Sequence, residues 1–340
     1  MLPISAGKKR SMDQQAVVRR SDDRGPRIPI EKVKTWLWVI VRALLMIGLS
    51  FVILYPIILK VSIAFKHKSD IYDPTVVYLP RNFTLENFKY VMETMDYFKV
   101  IWQSFLLSGG TMLLSTFACA LVGYGFARFK FRGNNILFAL VILTILVPPQ
   151  TIMVPTYLQY RSFDLFGLVG LFNDGKGIKL IGTYWPFIIS SMTAMGLKAG
   201  LFIFIFRQFF KGVPKEIEEA ALVDGAGVFK IFFKIMLPNA VPAMVTVMLF
   251  AFVWQWNDVY FTTMFLDNAT VLSTQLQTVG ATIAHKLSTA AGGSAGNVDP
   301  FYLSMLVNTS VLLAILPLII MYLFVQRYFV ESVERAGIVG

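Results

Sequence analysis

Few residues in this sequence could carry chemistry, and their spacing excludes most reactions. His67 and His285 stand far apart, and neither belongs to a metal-ligand or catalytic spacing. Cys119 is the single cysteine and lies inside an apolar run, where a thiol packs as a small buried side chain. No G-x-x-x-x-G-K-[ST] loop is present to cradle a nucleotide phosphate, and no serine sits in a nucleophile elbow. The sequence therefore predicts no catalytic residue, no metal site and no cofactor bound by this chain. Two features stand out instead: a carboxylate-rich loop around 216–225 and a small set of polar residues embedded in apolar surroundings.

The loop has the grammar of two short helices. Pro214 suits a first helical turn, and Glu216, Glu218 and Glu219 come next, where negative charge complements the helix dipole. Ile217, Ala220 and Ala221 share one narrow face, and Gly225 ends the helix. A second helix carries Val228, Phe229, Ile231, Phe232, Phe233, Ile235 and Met236, with Lys230 and Lys234 four apart, and Pro238 closes it. Periodicity alone equally fits a helix pair lying on lipid headgroups.

The embedded polar residues are Lys198 and the run Trp254-Gln-Trp256-Asn257-Asp258. Lipid penalises such groups, which marks them as candidates for a substrate pathway. Lys198 lies nine residues before Arg207, about 13 Å of helix, so it either lines a path or snorkels inward. The tryptophans are either membrane-belt anchors or flat apolar faces for a sugar, with the amide and carboxylate as hydroxyl partners.

The elements that position these residues are set by composition. A chain of 340 residues that is 56% hydrophobic and 15% charged departs from soluble domains, which are about a quarter charged. The excess lies in six blocks, near 43–64, 104–127, 136–157, 183–206, 240–265 and 302–324. Each is long enough for a helix of about 20 residues to cross a bilayer. Pro148, Pro149 and Pro155 bend or break the third, as a gate or as a packing kink. Residues 1–34 form a basic, solvated tail without apolar period, and 35–340 a membrane domain with core spans over about 101–326.

Charge orients the chain. With the N-terminus inside, the tail, the turn after the second block, the loop 207–238 and the C-terminal tail hold nineteen lysines and arginines, against nine on the other side. Positive charge resists translocation, so both termini are expected in the cytoplasm. The net charge of +11 is thus topology information, and no nucleic-acid partner is implied. Of the outer segments, 66–101 reads as a folded connection with one short helix near 85–95. Residues 158–182 read as short and glycine-rich, and 267–300 as a flexible reach.

Glu219-Ala220-Ala221-Leu-Val-Asp224-Gly225-Ala226, followed by Phe232 and Leu237-Pro238, resembles the EAA loop of binding-protein-dependent ABC importer permeases. Gly123-Tyr-Gly-Phe-Ala-Arg-Phe129, Val147-Pro-Pro-Gln150, Trp256-Asn-Asp258 and Gln326-Arg-Tyr-Phe-Val330 extend the likeness to the second permease of maltose-transporter-type systems. The resemblance implies an all-α polytopic fold with six transmembrane helices, the type I importer fold, in a bacterial cytoplasmic membrane. It implies a homologous second permease subunit, two ABC ATPase subunits that hold ATP and magnesium, and an extracellular or periplasmic sugar-binding protein. By motif position, Glu219 would meet a basic group on the ATPase, Asp224 would hold the turn, and the alanines would allow close approach. An ion-coupled secondary transporter is the alternative, and it would require inverted repeats and titratable intramembrane charges.

Overall fold

The structure, a computed structural model, describes residues 30–165, 167, 171, 176–266, 271–290, 292 and 298–337. Residues 1–29 of the basic tail and most of the glycine-rich stretch near 289–296 lie outside the described residues. The chain divides into two units, Met1–Ile57 and Ile58–Gly340. Among the described residues the regular structure is helical, with two isolated antiparallel bridges, Lys66 to Phe83 and Phe163 to Ile178.

The helices are α1 (Ile30–Ala64), α2 (Glu86–Thr94), α3 (Tyr97–Arg128), α4 (Asn134–Leu146), α5 (Met153–Arg161), α6 (Trp185–Met192) and α7 (Ala199–Gly212). They continue with α8 (Glu216–Val223), α9 (Val228–Ile231), α10 (Val241–Trp256), α11 (Tyr260–Phe265), α12 (Leu272–Ala290) and α13 (Pro300–Gly337). Among the described residues three helical stretches are long and apolar enough to cross a membrane: Lys34–Ala64, Tyr97–Arg128 and Pro300–Gln326. The count reaches five if each of two bent pairs is one span.

The bend in the third block is the expected one, whereas the breaks in the fourth and fifth are not. The third block breaks by 103° between Leu146 and Pro149, because consecutive prolines remove backbone donors and bar the α conformation of the preceding residue. The fourth is two helices, α6 and α7, joined by 193–198, where Ala194 (φ 55°) and Lys198 (φ 61°) occupy the left-handed region. Side chains there cost roughly 1–2 kcal/mol each. The fifth ends at Trp256 and resumes at Tyr260. Pro238 does not terminate its helix. A π turn over Phe232–Met236 leads into Leu237–Asn239, so the proline falls in a fresh first turn where its missing N–H is harmless. The chain then turns by 77° into α10.

α3 is the central rod, packed against α6, α7 and α10. One stripe of it is small or hydroxylated and buried, including Ser104, Ser108, Thr111, Ser115 and Cys119. Small residues let backbones approach in lipid, where dispersion rather than water exclusion holds helices together. Gly123 marks the tightest approach: a Cβ there would stand 2.6 Å from the Phe206 Cβ and 3.0 Å from the Arg207 backbone nitrogen on α7.

Two segments between the long helices are more ordered than a connection requires. After α1, the buried Lys66 ammonium donates to the carbonyls of Val76 (2.6 Å) and Val77 (3.0 Å). Asn87 on α2 donates to the carbonyls of Ala64 (2.9 Å) and Lys66 (2.8 Å). Asp70 accepts the Asn82 backbone N–H and its amide, each at 2.7 Å, and those bonds hold its carboxyl below the usual range. The Tyr72 hydroxyl donates to Asp299 beside the start of α13. The short helix expected near 85–95 is α2. The flexible reach expected over 267–300 instead holds the 19-residue α12, which buries Leu272, Val279 and Ile283 against α2 and α13.

The α3–α7 contact yields a paired test. Gly123→Ala should destabilise the purified protein by about 1–3 kcal/mol through overpacking, seen as a lower thermal midpoint in detergent. Gly110→Ala, on the same helix with open space around it, should leave the midpoint unchanged or slightly raised.

Candidate functional site

The carboxylate-rich loop is held by backbone geometry at its turn and by aromatic packing at its exit. α8 starts with Glu216, Glu218 and Glu219 in its first turn, where free N–H groups favour carboxylates by roughly 0.3–1 kcal/mol each. It ends on Asp224, and Gly225 takes φ +78°. The Gly225 N–H donates to Leu222 O at 3.0 Å, and the Ala226 N–H to Ala221 O at 2.9 Å. This is a Schellman cap, and its left-handed position requires glycine.

Burial then divides the loop into two faces. Ala221, Ile231, Phe232 and Met236 are buried in one core cluster with Tyr124, Phe206 and Phe210. Phe232 lies 5.1 Å from Tyr124 and 6.5 Å from Phe210, centroid to centroid. Glu219, Ala220, Asp224 and Gly225 are exposed, as are the apolar Leu222, Val223 and Phe229, and Ala226 is half-buried. Phe232 therefore anchors the loop to the bundle, whereas Glu219 and Asp224 present free carboxylates on the other side. The Asp224 backbone N–H donates to Ala220 O at 3.1 Å, closing the last turn of α8. Pro238 is exposed on the exit path.

An ion pair that the sequence does not disclose fixes the loop's tilt. Arg128, the last residue of α3, places Nε 3.2 Å from Glu218 Oε1, with side chains 5% and 14% exposed. The two atoms are not aligned for a hydrogen bond. A second arm of the guanidinium, Nη2, donates to the Val213 carbonyl at 2.7 Å. Glu218 and Glu219 are neighbours in sequence but about 100° apart around the helix, so one faces the bundle and the other faces outward. From the sequence Arg128 is only a positive-inside charge, although it lies within the Gly123–Phe129 motif.

The polar residues within the spans separate into two groups. A cavity of about 400 Å³ lies among the broken helices, and Lys198 and Asp258 line it together with Gln255, Tyr160, Ser190 and Ser191. Trp254 is not on its wall. It stacks on Phe202 (5.7 Å) and Phe250 (5.4 Å), with the Lys198 ammonium 5.8 Å from its ring centre. Trp256 is buried against Phe252 and Phe105, and Asn257 turns its amide back to the Val253 carbonyl at 2.8 Å. The Asp258 carboxylate accepts the N–H and hydroxyl of Thr262, each at 2.8 Å, capping the start of α11. Period alone could not sort these residues, because the helix stops at Trp256 and a uniform 3.6-residue face misplaces Asn257 and Asp258 beyond it.

Comparison with known proteins gives the family and the fold. The chain is 29% identical over 266 residues to the arabinooligosaccharides transport system permease protein AraQ of Bacillus subtilis (strain 168), covering 77% of this chain and 81% of that one. It is 28% identical over 264 residues to the melibiose/raffinose/stachyose import permease protein MelC of the same organism, covering 77% and 83%. Its fold matches a chain in the crystal structure of a bacterial ABC transporter involved in the import of the acidic polysaccharide alginate. That match has a TM-score of 0.63 at 21% identity and covers 87% of this chain and 98% of that one. The profile of the binding-protein-dependent transport system inner membrane component matches residues 119–334, a stretch that holds both the loop and the cavity, and the chain belongs to that family.

Proposed function

We propose that this chain is one of two homologous permease subunits of an ATP-driven importer of mono- or oligosaccharides. In this reading six spans, three of them bent or broken, cross the bacterial cytoplasmic membrane with both termini in the cytoplasm. Two separate ABC ATPase subunits bind ATP and magnesium, and an extracellular or periplasmic sugar-binding protein delivers the cargo. The loop 207–238 is the coupling element. Glu219, Ala220, Asp224 and Gly225 form the face offered to the ATPase, while Ala221, Phe232 and Met236 root it in the bundle. Lys198 and Asp258 belong to the path taken by the cargo. The named relatives import arabinooligosaccharides and raffinose-type sugars, which supports the cargo class.

The observation that carries the reading is the two-faced loop: buried aromatics on the membrane side, unpaired carboxylates and exposed Leu222, Val223 and Phe229 on the other. An apolar patch rimmed by charge on a soluble loop fits a protein partner. Pulling on such a patch moves the core, because Phe232 and Met236 are almost fully enclosed.

Three outcomes test this reading. Glu219→Lys and Gly225→Pro should strip the ATPase subunits from the complex on co-purification and abolish uptake. Retention of the ATPase with uptake intact rejects the coupling role. Arg128→Glu should loosen α8 by roughly 3–5 kcal/mol, the cost of stranding a buried charge, read as faster trypsin cleavage at Lys215 and loss of coupling. The double change Arg128→Glu with Glu218→Arg should restore much of both. For cargo, ATPase activity of the assembled complex with its binding protein should rise with a member of a panel of arabinooligosaccharides, raffinose, stachyose and alginate oligosaccharides. Stimulation by glycerol phosphate alone, with no saccharide active, rejects the sugar assignment.

A further inference from the structure

Three of the expected spans are interrupted, at 147–149, 193–198 and 257–259. All three interruptions line one cavity of about 400 Å³: Val147 and Pro149 from the first, Ala194 and Lys198 from the second, Asp258 from the third. Unwound backbone at membrane depth persists only where protein buries it or a polar cavity receives it. Interruptions in three separate segments that meet at one place serve the cavity. Two of the residues on its wall, Ala194 and Lys198, are held in the left-handed backbone region, a strained state that persists only where the surroundings over-determine it.

Gln255 supplies the second, independent observation. It is 8% exposed, it lines the cavity, and its amide nitrogen has no hydrogen-bond partner. A buried amide with two idle donors is costly unless something in the cavity accepts from it. The Asp258 N–H donates to the Gln255 carbonyl at 3.2 Å, so the two residues stand three apart on one turn of the chain. Asp258 Oδ2 accepts from Thr262 and Oδ1 accepts the Phe261 N–H at 3.4 Å, and Oδ1 keeps a second lone pair.

We propose that this chain carries its own saccharide-contacting pocket, in which the Gln255 amide donates to one ring hydroxyl, Asp258 accepts from a neighbouring one, and Lys198 donates at the rim. The proposal rests on the sugar-import reading and deepens it by placing a cargo contact within this subunit. One ammonium and one carboxylate leave the wall without net charge, which suits an uncharged polyhydroxylated ring better than an ionic solute. Phe187, Phe261 and Phe265 furnish apolar faces for the C–H side of such a ring. The volume lies within the roughly 300–1,000 Å³ of small-molecule sites.

The single cysteine makes the test direct. In a Cys119→Ala background, Ser190→Cys puts a thiol on the cavity wall, and N-ethylmaleimide labelling is followed in the assembled complex with both permeases, the ATPases and the binding protein in nanodiscs. The panel saccharide that stimulates ATPase activity should slow labelling at least fivefold. Adding Gln255→Leu, which keeps volume and removes the donors, should erase that protection and raise the KM for uptake at least fivefold. If a saccharide is imported yet labelling is unchanged, the pocket fails while the transport reading stands. A thiol that never labels in the assembled complex means that the partner permease or packing fills the cavity, and this also overturns the proposal. If no saccharide is imported or stimulates, the cargo reading fails and the pocket fails with it.

Discussion

The rest of the structure depends on the absence of hydrogen-bond partners in hydrocarbon. A backbone that crosses lipid must satisfy itself, and a helix does so residue by residue. α3 obeys this without interruption for 32 residues, and it is the helix against which α6, α7 and α10 pack. Where a span departs from a helix, the departure sits around one cavity or at the bent exit of the loop 207–238. The 103° bend after Leu146 and the six residues between α6 and α7 are tolerable only in shelter. The straight and the broken elements therefore have different tasks: one set supplies a frame, the other surrounds a space.

Close packing turns that frame into a transmitter. Gly123 admits the α7 backbone to within contact of α3, and Gly200 at the other end of α7 meets Thr144 and Val141 on α4 with equally little room. Interiors packed to this degree shift between arrangements rather than deform smoothly. The aromatic cluster of Tyr124, Phe206, Phe210 and Phe232 extends the same solidity into the loop, and the Arg128–Glu218 pair fixes the orientation of α8 against the end of α3.

Much of this is legible in the sequence, and the remainder is hidden for identifiable reasons. Gly225 is readable because a Schellman cap needs a left-handed residue, a local rule with a local signature. The helix near 85–95 is readable for the same reason, and so is the break at Pro148 and Pro149. The break at 193–198 leaves no such mark: Ala194 and Lys198 are ordinary helix formers forced into left-handed geometry by their surroundings, and tertiary context overrides propensity. α12 carries Leu272, Leu276, Val279, Ile283 and Leu287 at helical spacing, and the glycines that follow mask that period by giving the whole segment the look of a linker. Glu218 is overshadowed by Glu219, since sequence adjacency hides the turn of the helix that separates their roles. Pro238 misleads because the π turn before it has no compositional signal.

Geometry also links the two functional regions. α7 begins beside the cavity, with Lys198 as its cap and Gly200 on the wall, and it ends at Gly212, two residues before Pro214 opens the loop. Its 14 residues span about 21 Å as a rod. α10 makes the return journey from the loop's exit at Ala240 to Gln255, again without a break. Both rods pack against α3, and the breaks in the spans lie at the cavity end. In the proposed coupling, a gate that moves while the loop keeps its hold on an ATPase needs stiffness at the loop and bends at the gate. The placement of the Pro148–Pro149 pair, the left-handed residues and the helix stop at Trp256 around the cavity, with an anchored loop at the far end, meets that requirement within a single chain.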